Sequence, residues 1–505
     1  MGLRIIYGRA GSGKSEYCYK EIAKDIEKNE KIFLITPEQF SFTAEKKLME
    51  AVKTEAVLQA EVVHLSRLAK RVIKEIGIKD DRMSKCGKAM LVSHILTMQK
   101  KDLKYLSKSE ENINLAISSI TELKKHGVTV EMLKEQIDKT ENIYLKTKLQ
   151  DISVIYEQYD EQIKQSYIDE ADELAILAEN IENIKWLKNS VIYIDEFAGF
   201  TYSEYQVIKG LIKYAKQVNI TITVDNLEQT LNPDTDIFYA NKITVKKLQD
   251  IVSQNELKLE KPIKMLEVKR FKTPELKYIE GNLFKTQSTK YEQKVENLSM
   301  FLAKNQYTEI EYIAKEITKL VKEKKKRYND IAIITKNIQS YSNLARVIFE
   351  KYDIPIFIDE KRELSQNIII QYVLSIFEIL QKNYSKESVF QYAKMGFLEI
   401  EQSDIFKLEN YCTKWGIKQN KFKKDFVYEL EKNKQEIEYY NELRKKIIEP
   451  IENLKQKIRK GKTAKGITVA IYDFLEKQKI EEKIFLKMQE LKEKNREDLV
   501  QEYKE

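Results

Sequence analysis

The chain has 505 residues, too many for a single hydrophobic core, and its length predicts three or four domains. Apolar residues make up 42% and charged residues 33%, a balance that supports globular folding with long solvated helices. Lys and Arg number 88 against 80 acidic residues, and the net +8 permits nucleic-acid binding without arguing for it. The three cysteines, Cys18, Cys86 and Cys412, lie far apart with no C-x-x-C pair, which excludes a disulfide framework and a zinc or iron–sulfur centre built from them. No apolar run reaches membrane-spanning length and the N-terminus enters a core strand directly, so the expected location is the cytoplasm, with no membrane partner.

The first fifteen residues organise the rest. Leu3 to Tyr7 is a short apolar, β-branched run, and Gly8, Arg9, Ala10, Gly11, Ser12, Gly13, Lys14 and Ser15 match G-x-x-x-x-G-K-[ST] without a mismatch. Glycines let such a loop curl so that its N–H groups point inward, and the helix that follows adds the positive end of its dipole. The expected guest is a nucleotide phosphate: Lys14 reaches the β- and γ-phosphates and the Ser15 hydroxyl holds Mg²⁺. An amphipathic helix from about Ser15 to Lys28 completes the unit, with Tyr19, Ile22, Ala23 and Ile26 on one face.

Next, Lys31 to Pro37 reads as a second buried strand, and Gln39 sits in the loop after it, where it could meet a base, a phosphate or only its own backbone. Glu45 to Val52 is helical, Val57 to His64 is a third strand, and Leu65 to Val72 returns to helical spacing. Alternating strands and helices are how a parallel α/β sheet is written. From about Ser84 to Lys188 the strands vanish, and Ala89–Gln99, Glu110–Lys125, Val130–Thr140 and Thr147–Ser166 read as charged amphipathic helices of an insertion. His94 and His126 lie on separate helices and read as solvated or core-edge side chains.

The sheet resumes with Ser190 to Ile194, an apolar strand that ends in Asp195 and Glu196, and Val218 to Val224 is a further strand ending at Asp225. In a P-loop enzyme the first carboxylate at such a strand end, here Asp195, binds Mg²⁺ and the next, Glu196, positions the attacking water. After a polar linker near Lys285 to Glu296, a second α/β unit is predicted, with a helix over 308–324, a strand over 328–335, a helix over 340–352 and a strand over 354–358. The basic cluster Lys322 to Arg327 lies on the connecting loop as a solvated turn or a phosphate contact. From about Asn383 the pattern is again all helix.

Four stretches carry a family resemblance: residues 3–15, Ser66 to Ala69, Ile194 to Thr201, and Glu309 to Ile334, with Leu408 to Tyr411 adding to it more weakly. In them the chain resembles the N-terminal part of the B subunit (AddB, RexB) of the AddAB helicase–exonucleases, relatives of superfamily 1 DNA helicases. The resemblance implies a P-loop NTPase fold of RecA-like parallel sheets carrying large all-helical insertions, with ATP as the nucleotide. Its expected divisions are a first core over 1–85 and 189–290 holding an insertion over 86–188, then a second core from 291–385 with an insertion over 386–505. It also implies a heterodimer with an AddA-type helicase–nuclease subunit, acting on duplex DNA ends and single strands in double-strand break repair and responding to the Chi signal. The family's nuclease domain and iron–sulfur cluster are expected beyond residue 505.

Departures from the pattern keep other readings open. Superfamily 1 motors carry Asp-Glu-x-Gln, and here Ala198 stands where the glutamine belongs. Val224 to Gln229 matches the next motor motif, Gly-Asp-x-x-Gln, poorly, and Arg346 is a candidate cation whose alternative is a surface pair with Glu350. A helicase-shaped scaffold without catalysis is therefore one alternative, and an unrelated P-loop NTPase such as a small-molecule kinase is another.

Overall fold

The structure, a computed structural model, describes residues 2–503 apart from 29, 54–58, 79–80, 107–111, 165–166, 229–231, 266, 286–288, 361–366, 429–432, 462, 495, 497–499 and 501–502. Met1, Gln229, linker residues 286–288 and the predicted element ends at Val57, Glu110 and Ser166 lie outside the described residues. The chain forms two compact units, Met1–Met300 and Phe301–Glu505.

The first unit is built on one parallel sheet of seven strands, β1 (Gly2–Gly8), β2 (Lys31–Ile35), β3 (Ala60–Val63), β4 (Ser190–Ile194), β5 (Gln217–Thr223), β6 (Lys258–Leu259) and β7 (Ile263–Lys264). Their order is β3-β2-β4-β5-β1-β6, with β7 also paired to β1. Every residue of β4 is buried and so is β2 after Lys31, which is why both read as continuous apolar runs. Helices α1 (Lys14–Glu27), α2 (Ser41–Val52) and α3 (Leu65–Glu75) connect the early strands. One face of the sheet buries Leu3, Ile5, Phe33, Ile192 and Ile220 among α3 side chains, and the other buries Ile6, Leu34 and Tyr193 against Cys18 and Ile22 of α1.

Between α3 and β4 stands the helical insertion, α4 (Lys85–Met98), α5 (Asn112–Lys125), α6 (Val130–Lys139) and α7 (Ile143–Lys164), around its own core of Val92, Ile120, Leu133, Ile155 and Tyr159. The two chain segments that join it to the sheet run side by side: Ile168 N–H donates to Asp81 O at 2.9 Å and Arg82 pairs with Ile168 as an isolated bridge. Beneath that junction Asp169 accepts from Lys88 Nζ at 2.6 Å, from the Tyr159 hydroxyl at 2.9 Å and from the Ala171 N–H at 3.1 Å. Lys124 Nζ lies 3.5 Å from the same carboxylate and bonds Asp160 at 2.9 Å and Asp172 at 2.7 Å. Burial opposes the Asp169 charge, yet the Lys88 hydrogen bond and the Lys124 charge hold its carboxyl below the usual range. After α8 (Glu173–Asn180) and the short α9 (Lys185–Lys188) the chain re-enters the sheet, and α10 (Tyr202–Tyr214), α11 (Tyr239–Gln254) and α12 (Pro274–Asn282) finish the unit.

In the second unit, α13 (Gln306–Lys324) and α14 (Ser342–Lys351) pack through Ile310, Ala314, Ile317, Ile348 and Phe349. The strands predicted at 328–335 and 354–358 do not form a second sheet among the described residues. Tyr328–Asp330 is a 3₁₀ turn, and Ile331–Thr335 and Ile354–Ile358 carry no ladder assignment. Parallel strands need both faces covered and several neighbours, whereas here Ile334 is 94% and Phe357 89% exposed. The two segments instead border an open apolar cavity of about 690 Å³ with Ile313, Tyr341 and Ala345. Arg346 pairs with Glu360 rather than with Glu350, and Arg327 of the basic cluster is committed to Asp330 at 2.9 Å. The remaining helices, among them Ile368–Gln381, Gln402–Lys414 and the 27-residue Lys434–Lys460, enclose a separate core centred on Tyr372, Phe390, Phe422 and Ile451.

Candidate nucleotide site

The predicted phosphate loop lies between β1 and α1, and its backbone takes the form the glycines permit. Gly11 has φ +75° and Gly13, which caps α1, has φ +85°, both in the left-handed region that L side chains rarely adopt. Lys14 begins the helix and folds its ammonium back over the loop, donating to Gly8 O at 2.9 Å and Arg9 O at 3.0 Å. Burial pushes the Lys14 ammonium below its usual range, Asp195 pulls it back up and Arg270 adds to the fall.

Asp195 and Glu196 face this loop because β4 lies two strands from β1 in the sheet. Asp195 is buried at the end of β4, its N–H donates to Ile35 O at 3.0 Å, and its Oδ1 accepts from the Thr221 hydroxyl on β5 at 2.5 Å. The register that sets Ile194 beside Ile220 makes Asp195 and Thr221 neighbours. Its second oxygen, Oδ2, is buried without a hydrogen-bond partner among the described residues, as is the Ser12 hydroxyl. Glu196 holds φ +68°, a strained conformation for a residue with a Cβ, in the turn just beyond the strand.

Ala10, Gly11, Gly13, Lys14, Ser15, Asp195 and Glu196 line one cavity of about 600 Å³. Gly8 and Arg9 do not line it, and their part is to hold Lys14 through their carbonyls. The Arg9 guanidinium turns away from the loop, bonding Glu280 of α12 at 2.8 Å and covering the Phe238 ring at 5.3 Å, so its side chain is a clamp and not a phosphate ligand here. Ser15 and Asp195 offer a hydroxyl and a carboxylate, the hard oxygen donors that Mg²⁺ takes, and the unpartnered Asp195 Oδ2 fits that task. Ala198 also lines the cavity, where it supplies no polar group. Gln39, in an exposed 3₁₀ turn, does not line it, and Asp225 is engaged by Lys242 of α11 at 3.6 Å.

Sequence reasoning missed three further cations, Lys47, Lys269 and Arg270. β7 continues along β1, Met265 N–H donates to Tyr7 O at 2.8 Å, and the chain then crosses the phosphate loop, where Lys269 and Arg270 N–H groups both donate to Gly11 O, at 2.8 and 3.1 Å. Their side chains line the cavity, as do Lys47 and Thr221. The only signal in the sequence was the pair Lys269-Arg270 itself, because two-residue strands show no periodicity.

That crossing makes Gly11 sensitive. A Cβ built on it would lie 2.5 Å from the Arg270 Cβ, in addition to the left-handed strain. Gly11→Ala is expected to destabilise the first unit by roughly 1–3 kcal/mol, read as a lower thermal midpoint. An unchanged midpoint would show that Lys269 and Arg270 do not rest on the loop.

Comparisons with known proteins identify the family. Residues 5–280, more than half of the chain, match the family model described as ADDB, N-terminal. The chain is 37% identical over its whole length to the B subunit of the ATP-dependent helicase/deoxyribonuclease of Caldanaerobacter subterraneus subsp. tengcongensis, covering 45% of that protein. It is 38% identical over its whole length to the protein of the same name from Clostridium tetani, covering 46%, and 38% identical over 94% of its length to that of Clostridium botulinum, covering 43%. The chain thus spans about half the length of these relatives. With a parallel sheet, a complete phosphate loop and a full-length match to proteins of one name, the chain belongs to the AddB family, whose N-terminal region it resembles throughout residues 5–280.

Proposed function

We propose that this chain is the ATP-binding, helicase-like portion of a two-subunit helicase–exonuclease that processes double-strand DNA ends for recombinational repair. One observation carries the reading: Lys14, Ser15, Asp195 and Glu196, far apart in sequence, line the same cavity beside Lys269 and Arg270. In this reading the backbone of the loop around Gly11 and Gly13 and the N-terminus of α1 cradle the phosphates, while the Ser12 N–H is kept by Arg9 O at 3.3 Å. Lys14 exchanges its bonds to Gly8 O and Arg9 O for the β- and γ-phosphates, and Arg270, which rests on the loop at Gly11, adds a second positive charge. Ser15 and Asp195 would hold Mg²⁺, which supplies charge neutralisation at the phosphates when bound. Glu196 positions the attacking water. The names of the relatives, which specify a B subunit of a helicase/deoxyribonuclease, support a partner subunit and DNA as the substrate. The family resemblance adds that the partner is of the AddA type, that DNA ends and single strands are engaged, and that the complex responds to Chi. The divisions at 85, 188, 290 and 385 are proposed on the same resemblance.

Ala198 favours a second reading, a helicase-shaped scaffold that holds nucleotide without turning it over, because the cavity lacks the glutamine that couples γ-phosphate to movement. Turnover of ATP with DNA bearing free ends separates the two, measured for wild type and Glu196→Gln with the partner subunit present. The motor reading expects the variant to keep ATP binding and lose roughly a hundredfold in rate. Equal rates for both proteins would leave the scaffold reading.

A further inference from the structure

The far side of the helical insertion carries a surface unrelated to the phosphate cavity. The turn at residues 99–106 follows α4 and is fixed by Asp151 of α7. That buried carboxylate accepts N–H bonds from Lys104 at 3.0 Å, Tyr105 at 2.6 Å and Leu106 at 2.9 Å. Three backbone donors on one carboxylate hold the turn rigidly, so the outward direction of Lys104 and Tyr105 is built in. Earlier in the same helix, the start of α7 is capped by Asn142, whose Oδ1 accepts from the N–H groups of Tyr144 at 3.0 Å and Leu145 at 3.1 Å.

Tyr144, Lys148 and Asp151 follow one another at i, i+4 and i+7 and therefore share a face of α7. Tyr105 joins this face, since Lys148 Nζ stands 5.9 Å from its ring. Tyr144 is 89% and Tyr105 58% exposed, so both rings are open to solvent on backbone fixed by side-chain hydrogen bonds. Residues 99–106 and 142–148 hold five lysines and one carboxylate, Asp102, with Glu141 at the edge.

From this we infer that the turn at 99–106 and the first turns of α7 form a docking surface for single-stranded polynucleotide. Lys100, Lys101, Lys104 and Lys148 meet successive phosphates, and Tyr144 offers an open ring on which an unpaired base stacks. Charge complementarity selects the occupant. A protein partner for a face this basic would need a matching acidic patch, whereas a polyphosphate backbone supplies its charges at regular spacing and its bases supply the π-faces that exposed tyrosines fit. The inference rests on the proposed function only in taking DNA as the polynucleotide, and it is independent of Lys14.

The test is fluorescence anisotropy of a labelled unstructured oligo-dT with the full chain across a salt series, for wild type, Tyr144→Ala and the triple charge reversal Lys100→Glu/Lys101→Glu/Lys148→Glu. Tyr144→Ala is expected to weaken binding about tenfold, and the triple variant to reduce the slope of log K against log salt by about 2. All substituted side chains are at least partly exposed, so thermal midpoints should match wild type, and Lys100→Gln/Lys101→Gln/Lys148→Gln gives a milder variant if they do not. Binding that is absent in wild type, or that neither variant changes, overturns the surface. So does wild-type self-association that Tyr144→Ala abolishes while oligo-dT affinity stays constant, which would make the face a contact between copies. Lys14→Ala serves as the separate control: it should lose ATP and keep oligo-dT, so failure of the nucleotide site and failure of this surface are read independently.

Discussion

Lys14→Ala is expected to lower the affinity of the chain for ATP by two to three orders of magnitude. The lost group is the ammonium that, in the proposed site, contacts the β- and γ-phosphates, and two charge-assisted contacts are worth roughly 3–4 kcal/mol together, at 1.4 kcal/mol per factor of ten. The same change removes one donor each from Gly8 O and Arg9 O, the latter keeping the Ser12 N–H, and takes away a positive charge that attracts Asp195. Some loss of stability should therefore accompany it, about 1 kcal/mol. Calorimetric titration with ATP and Mg²⁺ reads the affinity, and Lys14→Arg separates charge from shape, because a guanidinium cannot retrace the compact path of the lysine. If wild type and Lys14→Ala bind ATP equally, the cavity is not a nucleotide site.

The largest effect on stability is expected at Asp169. Its carboxylate is the meeting point of Lys88, Lys124, Tyr159 and the Ala171 N–H, and it lies beneath the two segments that tie the helical insertion to the sheet. Removing one partner of a buried charge cluster costs about 3–5 kcal/mol, since the remaining charges stay buried without compensation. Asp169→Ala leaves the Lys88 ammonium facing no carboxylate at bonding distance among the described residues, while Lys124 keeps Asp160 and Asp172. The insertion should loosen first, seen as early proteolytic cleavage within 85–164 while the sheet persists. The sign with pH follows from the lowered Asp169 carboxyl: its stabilisation is complete above the ordinary carboxylate value and disappears as pH falls through the lower value of the folded state. The raised Lys124 ammonium works the other way, its contribution standing below the ordinary lysine value and fading only as strong alkali passes the folded one. Cleavage at equal rates in wild type and Asp169→Ala would show that the cluster does not hold the insertion.

Much of this site could be read from the residue string because its chemistry is local. The phosphate loop needs eight consecutive residues, and the strand ending in Asp195 and Glu196 announces itself by apolar composition. What escaped was non-local. Lys269 and Arg270 reach the loop only because β7 pairs with β1 across most of the first unit. Arg9, part of the motif by position, is drawn off by Glu280, whose role no spacing reveals. The helices of the insertion were legible from their apolar period, but the Asp169 cluster that fastens it was not, since its side chains come from three helices and a connecting segment. At 331–335 and 354–358 the apolar strand pattern was present and the ladder was not, because a β-pattern states what a segment can pair with and not whether that neighbour is there.

The place of β1 in the sheet also bears on how the protein comes into being. β1 is made before every strand it pairs with: residues 9–216 separate it from β5 on one flank, and β6 and β7 on the other appear only at 258–264. At a translation speed of roughly 5–20 residues per second, those neighbours leave the ribosome about 10–50 s after it. Throughout that interval an apolar ribbon carrying the phosphate loop lacks the strands it pairs with in the folded sheet, so the sheet closes around β1 late in synthesis.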